Sequence, residues 1–167
     1  MRFSGKDGLM TRAELGREYF KSGCNCAQSV AMAFSDLLPL SEELIMKAML
    51  PFGSGVGRMR LLCGAINGMC FVLGLLYSKT DPETGKQNKD EIYKKVQLLA
   101  GQFRDINGTI ICRELLSGIS NSTEPTSEER SSAYYKKRPC DEYVYEAVEL
   151  LEAFIDSNDF REISDEL

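Results

Sequence analysis

The 167-residue sequence contains no histidine. That absence excludes a Ser-His-Asp triad, a Cys-His dyad, a histidine metal ligand and the haem-attachment motif Cys-x-x-Cys-His. Proton transfer near neutral pH falls to a perturbed carboxylate, lysine or thiol. A transition-metal site is left with cysteine, carboxylate, backbone or water. Positive charge is also short: 20 Lys and Arg against 25 Asp and Glu give a net charge of -5. This argues against nucleic-acid binding, which needs a basic face. Compact Cys-x-x-Cys pairs are missing, so neither a thioredoxin-like motif nor the usual spacing of structural zinc is present. There is no Walker loop and no useful run of strand-like alternation. Residues 1–16 lack an apolar core segment, so a cytoplasmic, reducing setting is expected.

What is present reads as helix almost throughout. Thr11 and Glu14 form a capping-box pattern ahead of one helix, and Asn25 caps the next. Ser41 starts a third. The run Leu61–Tyr77 carries no charge and is expected to be the most buried helix. At 17 residues it falls short of the roughly 20 that a membrane span needs, so no membrane insertion is expected. A long amphipathic helix is predicted from Asn88 to Asn107-Gly108, with Ile92, Val96, Leu99 and Phe103 at helical spacing. Thr109 is expected to cap a short helix through Cys112. The polar stretch 117–137 reads as a flexible surface loop, Pro139 as the first turn of a last helix, and 158–167 as a short tail. The prediction is one all-α domain over 1–167, a bundle of about six or seven helices.

Six cysteines occur, and four of them fall near expected helix starts: Cys26, Cys63, Cys112 and Cys140. Unpaired N–H groups and the helix dipole favour a thiolate there. A thiolate is both the nucleophile of disulfide exchange and the form that binds metal. Cys63 is expected to be the most reactive, because Arg58 and Arg60 are near it in sequence, although ordinary surface charge explains those arginines equally well. Cys70 shares a helix face with Cys63 but lies about 10.5 Å along the axis, too far for a disulfide. It reads as a packed residue, and Cys24 as either an auxiliary thiol or a packed one.

These residues also carry a family resemblance. Cys63-Gly64-Ala65-Ile66-Asn67-Gly68 matches Cys-Gly-Ala-x-x-Gly. Asn25-Cys26-Ala27, the glycine-rich Gly53–Arg58, Cys112-Arg113-Glu114-Leu115 and Cys140 match the remaining elements in order. The chain resembles the C_GCAxxG_C_C family over roughly Ala13 to Ile155. The resemblance implies a helical domain with four functional cysteines and a proposed redox role, in a group whose related domains occur with iron–sulfur or haem centres. Cys24 and Cys70 lie outside the pattern.

Three readings remain open. In the first, the four cysteines cycle between dithiol and disulfide, with a redox or electron-transfer partner. In the second, they bind an iron–sulfur cluster or another thiolate-bound metal, Gly64 and Gly68 leaving room for it. The third is a structural or partner-binding bundle.

Overall fold

The computed structural model describes residues 10–165, and side chains over 10–157. Residues 1–9 and 166–167 of the expected single domain lie outside the described residues. The fold is all-α, with eight helices among the described residues: α1 Arg12–Lys21, α2 Cys26–Ala33, α3 Glu42–Met49, α4 Gly64–Tyr77, α5 Gly85–Asn107, α6 Cys112–Leu115, α7 Ser132–Lys137 and α8 Cys140–Asp165. Short 3₁₀ turns occur at Ser35–Leu37, Leu50–Phe52 and Pro82–Thr84.

Local chemistry sets the helix starts. The Thr11 hydroxyl accepts from Glu14 N–H while Glu14 accepts from Thr11 N–H. Asn25 and Gln28 repeat this reciprocal pair at α2. Each pair satisfies two donors that a helix N-terminus leaves orphaned. Gly108, at φ 79°, closes α5.

The centre of the bundle is α2. All eight of its residues are buried, and α1, α3, α4 and α8 pack around it. Its small residues let neighbours approach closely. The buried polar groups are paired: Ser29 Oγ donates to Asn25 O at 2.8 Å, and Gln28 Nε2 to Met46 O at 2.9 Å. The charge-free helix α4 packs on one side, and Phe20, Phe34 and Phe103 fill the core. Each such side chain contributes about 1.5–3 kcal/mol through burial.

Several boundaries differ from expectation. The most buried helix is α2 rather than Leu61–Tyr77, because α4 keeps Phe71, Leu75 and Tyr77 only partly covered. It also begins at Gly64, since Leu62 pairs instead with Ile111 in an isolated antiparallel bridge. The long helix starts at Gly85, behind the Pro82–Thr84 turn. Ile111, not Thr109, occupies the cap position of α6; the Thr109 hydroxyl accepts from Ile111 N–H and donates to Glu114. Within the stretch read as loop, Ser131 caps the additional helix α7. The stretch read as a tail continues α8 to Asp165. No helix among the described residues is long and apolar enough to cross a membrane.

Candidate functional site

Cys26 is the first residue of α2, Cys112 of α6 and Cys140 of α8, and Cys63 caps α4. Two backbone devices bring these starts together. The first is the bridge: Cys63 N–H donates to Ile110 O at 2.9 Å, and Cys112 N–H to Leu61 O at 2.7 Å. The second is a left-handed run over Ser54–Arg58, in which φ lies between 54° and 72° at every residue. Such conformations are costly for β-branched Val56 and free for glycine. Gly55 is needed doubly, since a Cβ there would lie 2.7 Å from Cys112 Cβ. The run folds the chain so that Leu61 N–H reaches Gly55 O at 3.0 Å.

All four cysteines line one cavity of about 20 Å³, together with Gly64 and three arginines, Arg60, Arg130 and Arg138. Gly68 does not open onto it. A Cβ at Gly68 would lie 2.7 Å from Val30 Cβ and 2.8 Å from Ala27 O, so the space beside it is taken by α2. Cys24 packs against Met46, its sulfur 3.9 Å from Met46 Sδ, and neither it nor Cys70 lines the cavity.

The four thiols differ sharply. Cys26 and Cys140 share a side-chain hydrogen bond, which lowers the Cys140 pKa against the opposing effect of burial; Arg138, Arg130 and Arg60 add to the lowering. The same bond, with burial, pushes Cys26 well up. Burial raises Cys112 more than Arg60 lowers it. Cys63 is pushed up to about 12 by burial, although the N–H groups of Ala65 and Ile66 act the other way. Burial at Cys63 therefore works against the expectation that it is the activated thiol. Arg60 turns to Cys112, its Nη1 4.0 Å from Cys112 Sγ, and Arg58 donates to Glu124 O at 2.6 Å.

Sequence reasoning missed the strap 122–130, which pairs with the arginines around this site. Glu128 pairs with Arg138 at 2.5 Å, Arg58 at 3.6 Å and Arg60 at 3.9 Å. Arg60 Nε donates to Ser122 O at 3.0 Å. Arg130 stacks on Phe20 and Tyr134. No local spacing signals the contacts of Arg58, Arg60 and Phe20 with this segment, since their partners lie far away in the sequence.

The profile of the family described as "Putative redox-active protein (C_GCAxxG_C_C)" matches residues 24–154. The chain belongs to this C_GCAxxG_C_C family. No curated protein and no solved structure matches it. The match takes in all four cysteines of the cavity, the left-handed loop and the strap.

As arranged, this C_GCAxxG_C_C site does not fit the metal centre considered for Cys26, Cys63, Cys112 and Cys140. Among the described residues, no three Cys, Asp or Glu side chains gather in a group able to hold a metal ion. The cavity, about 20 Å³, has room for one or two heavy atoms, not for a polynuclear cluster.

Proposed function

We propose that this is a thiol–disulfide redox protein whose working pair is Cys140 and Cys26, with Cys63 and Cys112 as further thiols of the same site. The observation that carries the reading is that Cys26 and Cys140 line one cavity with Cys63, Cys112 and three arginines, a setting that favours the Cys140 thiolate. Cys140 is the nucleophile, since its thiolate is the form the surroundings favour. Cys26 is its partner sulfur, on the wall of the same cavity, and the pair closes to a disulfide of about 2.05 Å. Oxidation removes two electrons from the pair and releases the remaining thiol proton. A reduced redox partner restores the thiols through a mixed disulfide. A reducing compartment such as the cytoplasm suits a chain whose six cysteines are all free.

The test is thiol counting with peptide mapping after mild oxidation and after reduction. The expected first disulfide is Cys26–Cys140, with reversible loss of two thiols. Cys140→Ala and Cys26→Ala abolish this change, and Cys24→Ser and Cys70→Ser retain it. Undiminished reversible oxidation in Cys140→Ala would sink the reading.

A further inference from the structure

Arg60 has a donor that disulfide exchange does not use. The residue is only 1% exposed. Its Nε is bonded to Ser122 O and its Nη1 lies beside Cys112. Nη2 is buried without a hydrogen-bond acceptor, the nearest carboxylate oxygen being that of Glu128 at 3.9 Å. Arg130 Nη1 is buried and unpartnered in the same way. Both arginines line the cavity that Cys26 and Cys140 share. A buried guanidinium donor left unmatched is costly, so two of them at one cavity point to an acceptor that binds there. The room available, about 20 Å³, suits an occupant of one or two heavy atoms.

Resting on the reading above, we propose that the oxidant of this thiol pair is a small hydroperoxide, hydrogen peroxide itself, bound through Arg60 and reduced by Cys140. The Cys140 thiolate attacks one peroxide oxygen. The S–O bond forms as the O–O bond breaks, and the second oxygen leaves as hydroxide. That hydroxide takes up the proton Cys140 had released and departs as water. Sulfur is oxidised by two electrons to a sulfenic acid, and the peroxide is reduced by two. Arg60 and Arg130 stabilise the charge that grows on the leaving oxygen. The Cys26 sulfur then attacks Cys140. The S–S bond forms, the S–O bond breaks, and a second water leaves with the Cys26 proton. One peroxide and two thiols yield one disulfide and two waters.

The experiment follows thiol loss in the reduced full chain by stopped flow. Hydrogen peroxide, cumene hydroperoxide and glutathione disulfide are supplied separately at equal concentration. Hydrogen peroxide is expected to react fastest, because the other two exceed the cavity. Arg60→Gln, checked for unchanged helicity, is expected to slow the peroxide reaction by about tenfold, the weight of one charged hydrogen bond. It should slow the glutathione disulfide reaction as well, through the Cys140 pKa it helps to lower, but by less, so that the ratio of the two rates falls, a split that mere loosening of the fold would not produce; equal slowing of both overturns the role of Arg60 toward peroxide. In Cys26→Ser, a dimedone probe is expected to label Cys140 after peroxide, and Cys70→Ser is expected to behave like the parent. Oxidation by glutathione disulfide that outpaces peroxide overturns the hydroperoxide proposal while the thiol–disulfide reading stands. Failure of both oxidants overturns the two together, and absence of dimedone label in Cys26→Ser overturns the sulfenic step.

Discussion

At Cys63 two opposing effects meet on one sulfur. Helix N–H groups from Ala65 and Ile66 favour the thiolate, and burial disfavours it; burial wins and the pKa rises to about 12. Helix-start position was legible in the sequence, from the glycines before Cys63 and the charge-free run after it. The degree of burial was not, because it depends on α2 and α8, whose residues lie far along the chain. Nor was the target of Arg60, which sits three residues before Cys63 yet reaches Cys112. Cys140 ends up as the low-pKa thiol because its largest helper is another side chain, the Cys26 thiol, followed by the arginines. A titration of thiolate ultraviolet absorbance therefore has a defined expectation. The first thiol to ionise, below the usual 9.0, is the one lost in Cys140→Ser. In Cys26→Ala the Cys140 step moves up, since the donor is removed, whereas Cys26→Ser keeps a hydroxyl donor and moves it less. A first step that survives in Cys140→Ser would contradict the assignment.

Among the helices, α4 offers a clean contrast between two glycines. Gly68 lies where α4 crosses α2, and a methyl there would meet Val30 Cβ at 2.7 Å and the Ala27 carbonyl at 2.8 Å. One obstacle is backbone, so α2 itself must give way. Gly74 has no such neighbour within 4 Å. Gly68→Ala is expected to lower stability by about 1–3 kcal/mol through overpacking. Gly74→Ala is expected to raise it by up to about 1 kcal/mol, the helix preference of alanine over glycine. Urea unfolding of both variants checks the pair; equal effects would mean the two helices do not meet at Gly68. Capping residues and three-and-four spacing made α1, α2, α3, α5 and α8 readable, since those signals are local. The Leu62–Ile111 bridge and the left-handed turn at Ser54–Arg58 were not, because one pairs distant segments and the other places Val56 and Arg58 where sequence preference argues against them. Helix α7 was hidden in a polar run whose only strong start signal is Ser131.

Across the whole molecule, the buried thiols tie stability to pH with opposite signs on either side of about pH 9. Cys63 ionises at about 12 when folded and near 9.0 when unfolded. Its contribution is fully present below 9.0 and is lost as pH rises toward 12, because unfolding then releases a proton. Cys24, Cys26, Cys70 and Cys112 are raised as well, and Tyr134 is pushed from 10.0 to about 12, so all act in the same direction. Cys140 acts the other way: its folded pKa is lowered, so its contribution is full above 9.0 and is lost as pH falls through the folded value. Urea unfolding under reducing conditions is therefore expected to show stability falling steadily above pH 9. Each thiol held fully neutral contributes a slope of roughly 1.4 kcal/mol per pH unit. Cys63→Ala removes one such contribution and should make the decline shallower by about that amount, whatever it does to stability near neutrality. Cys140→Ala should leave the alkaline decline intact and flatten the rise below pH 9. If stability stays level above pH 9 in the parent chain, the thiols already meet solvent, and the closed cavity on which the redox pair depends is not how this protein keeps its cysteines.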